Sequence, residues 1–509
     1  MPKAFKNFIG GKEKDAASGR IFENRNPADW NEIIGTFPKS DKRDVDEAVD
    51  AAKRAYREWS LYPAPRRGDI VKKAGDIMVA RKEELAREMT REMGKVLIET
   101  RGDVQEGIDT AYYSASEGRR MFGVTAPSEL MNKFAMSMRV PVGVAGVISP
   151  WNFPMAIPTW KMFPALVSGD TIVFKPASDT PKTAATLVEI LVEAGVPEGV
   201  VNIVHGGGNE VGMAIVEHED VELVSFTGST AVGKKISEIA SRSLKRVSLE
   251  LGGKNAEIVM DDANLDLALD GILWGAFGTT GQRCTATSRL ILHEKIYDKF
   301  LDMLAERASR LRLGNGLDES VEVGPCVNES QREKVHSYVE IGKKEGARLV
   351  IGGEPAKGGD LEKGWFYKPT IFADVTPQMT IAREEIFGPV LSVMKAKSLD
   401  HAVELLNGTI YGLSSSVYTR NVNDAFRAIR DIKAGITYIN APTIGAETHM
   451  PFGGVKQTGN GHREGGAGAF DFFTEIKTVY VDYSDKLQRA QIDTYTNSPE
   501  TNSGKTAKR

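Results

Sequence analysis

Cysteine is almost absent. Two residues, Cys284 and Cys326, stand in a chain of 509, too few for a disulfide framework and in keeping with a reducing compartment, the cytoplasm. Histidine is sparse as well: seven residues are scattered without ligand spacing, and neither cysteine has a Cys or His within four positions, so nothing marks a metal site. No run of 18 apolar residues occurs, and the N-terminal MPKAFKNFIGGKEKD lacks the apolar stretch of a signal peptide, which argues against a membrane span and against export by that route. An excess of one charge is missing too. Against 69 Asp and Glu stand 65 Lys and Arg, a formal net charge of −4, which gives no footprint for nucleic acid or an anionic membrane surface.

What the chain has is length and an ordinary globular composition, 41% hydrophobic and 26% charged. One hydrophobic core stops growing near roughly 250–300 residues, so two or more domains are expected. Val45, Ala48, Val49, Ala52, Ala55, Tyr56 and Trp59 recur at the spacing of an amphipathic helix, and helical sequence continues to about Met121. From Val140 short apolar, β-branched runs alternate with helices: VGVAGVI, TIVFKP, VVNIV, VELVSF and RVSLEL, then SRLILHE, LVIGG, PVLSVMKA, LSSSVYT and AGITYIN. Apolar strands alternating with helices predict an α/β chain with two doubly wound parallel sheets. The boundaries read as 1–121 with 142–252 for one domain and 253–446 for the other. The segments 122–141 and 470–487 alternate like exposed strands that pair with each other or with another subunit, and 488–509 is polar, unpatterned and expected to be disordered.

Four places carry candidate chemistry. Cys284, in GTTGQRCTATSRL, is either an inert buried thiol or a nucleophile that needs nearby donors or a base, with Arg283 and backbone amides at hand; Cys326, in VGPCVNES, reads as structural. Glu250 ends the strand RVSLE before Gly252 and Gly253, and is either a solvated strand-end carboxylate or a general base. Asn152, in PWNFP, is either an N-cap or a donor to an oxyanion. FTGSTAVGKK matches a Walker A loop through Gly228, Gly233 and Lys234, but Lys235 stands where the magnesium-binding hydroxyl belongs; a turn for a dinucleotide pyrophosphate is the other reading.

PWNFP, FKPAS, FTGST, ELGGKN, GQRCT, EEIFGPV and PFGGVKQTG follow in order, and together they resemble the aldehyde dehydrogenase superfamily from about residue 5 to 485. The resemblance implies cofactor-binding, catalytic and oligomerisation domains, the last built from 122–141 and 470–487, in a dimer or tetramer. It implies Cys284 as nucleophile, Glu250 as the base for the hydrolytic water, and Asn152 as oxyanion donor. It counts Lys175 with the catalytic residues and assigns it to the adenosine ribose, with Gly228 and Ser229 at the pyrophosphate and Gly208 and Gly212 on the adenine side. Glu385 and Phe387 fall to the nicotinamide ribose and ring, with Trp151 and Ser178 also on the cofactor's path. Many NAD-preferring members have Glu where this chain has Ser178, so NADP is expected, with NAD also accepted. Glu250 argues against a coenzyme A-acylating relative. The stretch 440–466 resembles a subgroup that includes 2,5-dioxopentanoate dehydrogenases, with aminoadipate and succinate semialdehyde dehydrogenases as relatives, so a small aldehyde with a distal carboxylate is expected. Arg283 is then a candidate for that carboxylate, for keeping Cys284 ionised, or for bracing the loop. A P-loop NTPase and a non-catalytic binding protein on an inherited enzyme fold are the other classes considered.

Overall fold

The computed structural model describes residues 2–493. Two seven-stranded sheets organise the molecule. In the first, Arg246–Glu250, Leu223–Thr227, Val144–Ile148, Thr171–Lys175 and Val201–Ile203 lie side by side and parallel. Its inner strands are buried on both faces: Ile172 and Phe174 enter one apolar cluster and Val173 another, the alternation that a sheet covered on both sides requires. The helix Lys42–Trp59 covers one face. A capping box between Asp41 and Asp44 starts it, and Val45, Ala48, Val49 and Ala52 are its buried stripe. On the other face lies Pro181–Ala194, begun by proline at its first turn and ended by Gly195 at φ 107°.

The second sheet runs Arg348–Ile351, Thr370–Ala373, Val390–Ala396, Arg289–His293, Ala256–Val259, Ser414–Tyr418 and Ile436–Ile439. The expected pair of parallel α/β sheets is present, with one correction: both carry antiparallel edge strands. Asn7–Ile9 and Lys12–Lys14 close one side of the first sheet, and Arg348–Ile351 closes the second. The sequence reading missed every strand before Ser40. The first three are short, and KEK has no apolar residue to alternate; a lysine-bearing outer strand is what protects an edge from further pairing.

Lys133–Pro141 and Thr474–Asp482 pair antiparallel over nine positions, with Thr125–Pro127 as a third strand. This arm leaves Phe134, Ile476 and Tyr480 exposed, Tyr480 by 64%. Of the tail 488–509, residues 494–509 lie outside the described residues; 488–493 is placed, with Gln488 Nε2 donating to the Met131 carbonyl at 2.8 Å. Among the described residues no helix is long and apolar enough to cross a membrane.

Candidate active site

In the first sheet the chain leaves Val144–Ile148 for Thr171–Lys175 on one side and later returns to place Leu223–Thr227 on the other. The carboxyl ends of strands that flank such a reversal form the crevice where open α/β sheets bind ligands. Asn152 and Trp151 follow the first of these ends, Lys175 closes the second strand, and Gly228 and Ser229 follow the third.

The nucleophile candidate is held by an unusual turn. After the helix Leu265–Phe277, Thr279 (φ 52°, ψ 27°) and Thr280 (φ 58°, ψ 33°) both adopt left-handed backbone, followed by Gly281 at φ 66°. Two β-branched residues in that region cost about 1–2 kcal/mol each, so other contacts must hold the turn. Thr280 Oγ1 donates to Gly324 O at 2.9 Å, and the Gln282 side chain bonds both Pro325 O (3.2 Å) and the Val327 N–H (3.0 Å). Cys326 lies fully buried in that supporting segment. Glycine is obligatory at Gly253, where a Cβ would stand 2.7 Å from the Cys284 carbonyl.

Cys284 and Glu250 line one cavity of about 390 Å³. Its walls include Phe153, Trp160, Trp274 and Phe452, with Ile444–Ala446 at the side expected for the substrate. Burial pushes the Cys284 thiol up to about 12, helped by the carboxylates of Glu385, Glu250 and Glu106, with the Thr285 backbone N–H acting the other way. Arg283 does not hold the thiol ionised. Its Nη2 donates to Glu99 Oε1 at 3.0 Å and its Nε to Thr279 Oγ1 at 2.8 Å, while Phe153 and Trp274 flank the guanidinium. Of the three sequence-based roles, the geometry favours bracing, although the side chain also lines the cavity.

Glu250 is buried, and neither carboxylate oxygen has a hydrogen-bond partner among the described residues. Burial and the neighbouring Glu464 carboxylate hold it well above the usual carboxylate range, opposed by Lys161 and Arg463. Lys161 Nζ donates to Glu464 and, at 3.0 Å, to Ser225 Oγ. The PFGG turn reaches this carboxylate: a Cβ on Gly453 would stand 2.5 Å from Glu250 Oε1. A basic carboxyl set beside a charge-paired lysine has the protonation chemistry of a general base.

On the far side of the crevice, Lys175 Nζ donates to Pro176 O at 2.6 Å, and burial lowers the amine to about 8. Ser178 Oγ donates to Gly206 O at 3.2 Å. Gly208–Gly212 is a single wide turn; a side chain at Gly208 would meet nothing within 4 Å, and one at Gly212 would meet Lys175 Cδ at 3.6 Å. Ser229 caps the helix Thr230–Ser241, and Gly228 N–H donates to Glu250 O at 3.0 Å. Glu385 Oε1 accepts from Gly253 N at 2.9 Å, and Phe387, at φ 60°, packs edge-on against Trp151. The Walker-like Lys234 is tied to Gln457 Oε1 at 2.7 Å, and the P-loop reading fails.

Sequence reasoning named Cys284, Glu250 and Arg283, which line one cavity, and Asn152, Lys175, Ser178, Glu385 and Phe387, which lie outside its lining. It missed Glu99, Asp103 and Glu106, three acids on one face of the helix Leu97–Glu117, all lining the cavity. Their i, i+4, i+7 spacing was the available signal. Asp103 pairs with buried Lys95 at 2.8 Å and accepts from Ala156 N at 2.7 Å.

Fold and crevice together are those of a doubly wound enzyme with a site suited to a dinucleotide, and comparison with known proteins gives the family. A model of the aldehyde dehydrogenase family matches residues 14–479, and the chain belongs to that family, whose members oxidise aldehydes. It is 46% identical over 475 residues to an alpha-ketoglutaric semialdehyde dehydrogenase of Bacillus subtilis, covering 93% of this chain and 97% of that one. To a 2,5-dioxopentanoate dehydrogenase of Saccharolobus solfataricus it is 43% identical over 466 residues, 91% and 96% of the two chains. The crystal structure of an NAD-dependent aldehyde dehydrogenase from Sinorhizobium meliloti superposes with a TM-score of 0.93 at 40% identity, covering 96% of each chain.

Proposed function

We propose that the protein oxidises 2,5-dioxopentanoate to 2-oxoglutarate, accepting NADP as well as NAD. The observation that carries the reading is the one cavity that Cys284 and Glu250 share, in a chain similar to two enzymes named for this aldehyde. The open turn at Gly208–Gly212 and the capped N-terminus of Thr230–Ser241 suit a dinucleotide, whose pyrophosphate charge a helix N-terminus favours. Lys175 and Ser178 take the adenosine ribose, Gly228 and Ser229 the pyrophosphate, and Glu385, Phe387 and Trp151 the nicotinamide end.

The Cys284 thiol gives its proton to solvent, and the sulfur then adds to the aldehyde carbon, which hydride loss converts to a thioester. Asn152 and the Cys284 N–H donate to the oxyanion that forms. A bound oxidised nicotinamide supplies the hydride acceptor. Glu250 then takes a proton from water, which attacks the thioester and releases the acid, while Lys161 and Glu464 balance the charge.

Most acids on the cavity wall are answered by cations on it or buried behind it, which limits repulsion of an anionic substrate. Lys95 pairs with Asp103 and Arg283 with Glu99, while Glu106 is pushed up to about 8 by burial and so is mostly neutral at pH 7. We divide the chain into a cofactor domain (1–121 and 142–252), a catalytic domain (253–446) and an arm that joins copies into a dimer or tetramer, in a cytoplasmic setting.

A panel of semialdehyde acids and uncharged aldehydes, assayed with both nucleotides by reduced-nicotinamide absorbance, tests the reading. Efficiency highest on 2,5-dioxopentanoate is expected, and a clear preference for an uncharged aldehyde overturns the substrate. Glu250→Gln should release about one equivalent of reduced cofactor and then stall, whereas Cys284→Ala gives no burst. Steady turnover by Glu250→Gln removes that base.

A further inference from the structure

The turn before Cys284 is strained, and the group that meets it comes from the other half of the molecule. Glu99 sits in the first turn of Leu97–Glu117 with its side chain 7% exposed. Its Oε1 accepts two hydrogen bonds, from the Thr279 N–H at 2.8 Å and from Arg283 Nη2 at 3.0 Å, and Arg283 in turn reaches Thr279 Oγ1. One carboxylate oxygen thus fixes the first left-handed residue of the turn and the residue next to the nucleophile. The approach is close enough to exclude a side chain at Gly278, where a Cβ would lie 2.9 Å from the same oxygen. Glu99 Oε2 is buried without a partner among the described residues, so the side chain is aimed at the turn at a cost rather than placed there for its own solvation.

We propose that Glu99 is a positioning residue for the nucleophile: from a helix of the cofactor domain it clamps Thr279 and Arg283 and so sets where the Cys284 sulfur stands. The inference rests on Cys284 being the nucleophile. It also makes Arg283 part of the clamp, its charge answered by Glu99 before any substrate arrives.

Three variants test the clamp: Glu99→Ala, Glu99→Gln, and Glu99→Ala combined with Thr279→Gly. The readouts are the rate of Cys284 alkylation by iodoacetamide, the amplitude and rate of the reduced-cofactor burst, and kcat apart from KM. Glu99→Ala should slow burst and alkylation by about ten- to a hundredfold with little change in KM. Glu99→Gln, which still offers an acceptor to the Thr279 N–H, should keep severalfold more. Thr279→Gly should restore part of the loss, because glycine takes left-handed backbone without the Thr penalty. If both single variants burst and alkylate like the parent, or lose only in KM, the clamp is overturned. If Glu99→Ala does not fold, Glu99→Gln with parent-like alkylation and burst overturns it alone. Turnover surviving in Cys284→Ala sinks the nucleophile assignment instead, whatever the Glu99 variants do.

Discussion

Glu106 keeps its proton up to about pH 8 because burial and the Asp103 charge disfavour its carboxylate, and this puts a pH limit on anionic substrates. Below that value the cavity wall is balanced; above it a new negative charge faces the substrate. KM for a semialdehyde acid should therefore climb between pH 7 and 9, by up to about tenfold, while KM for an uncharged aldehyde stays level. Glu106→Gln should flatten the climb, and a rise that persists in that variant would assign it elsewhere. Cys284 offers a second titration. With the thiol at about 12 in the cofactor-free protein, alkylation should keep rising through pH 10, where an unperturbed thiol near about 8.5 has levelled off; a plateau at pH 8–9 contradicts it. In the proposed reading Ser178 sets the choice of nucleotide. No carboxylate stands there, and Asp179 beside it is turned to Asn328 at 2.8 Å. Ser178→Glu should cut efficiency with NADP far more than with NAD, since two like charges about 4 Å apart at an effective dielectric of 20 differ by roughly 4 kcal/mol. Equal losses with both would remove Ser178 from selectivity.

The strand-end segment Leu251–Asn255 shows how an element positions chemistry. Gly252 admits the Glu385 side chain, Gly253 admits the Cys284 carbonyl, and Asn255 Nδ2 holds that carbonyl at 2.8 Å. Gly253→Ala should thus displace the nucleophile and lower kcat by more than about tenfold with a modest change in melting temperature, measured by turnover alongside thermal denaturation; parent-like kcat would show that the segment yields. Elements of this kind were legible in advance wherever the pattern is local. The β-branched runs from VGVAGVI onward are strands, and GTTGQRCTATSRL is a turn entering the strand Arg289–His293. What escaped reading depends on distance. Lys161 meets Glu464, and Glu99 meets Arg283, across stretches of chain that leave no periodic trace. The thiol's surroundings were misjudged for the same reason: the adjacent Arg283 suggested a cationic site, but the carboxylates that act on the sulfur come from three other segments.

At the scale of the whole molecule the arm is the feature that points beyond one chain. Three strands that leave Ile476, Tyr480 and Val481 exposed have little core of their own; in the proposed dimer or tetramer they would gain one by packing on a second copy. Ile476→Glu with Tyr480→Glu should shift the sedimentation coefficient toward that of a monomer and lower the melting temperature. A parent protein that already sediments as a monomer would sink the oligomer. The strand carrying Glu250 has its own dependence on a remote part of the chain. Thr458 O accepts from Leu251 N at 2.7 Å, Asn460 bonds Leu249 and Val247 on either side, and Glu464 completes the charge around the carboxyl. During synthesis both sheets can therefore be finished on the ribosome while the base still lacks its neighbours. A chain cut before about residue 458 would keep the cysteine and the glutamate but lose the Thr458, Asn460 and Glu464 contacts that surround the strand of Glu250.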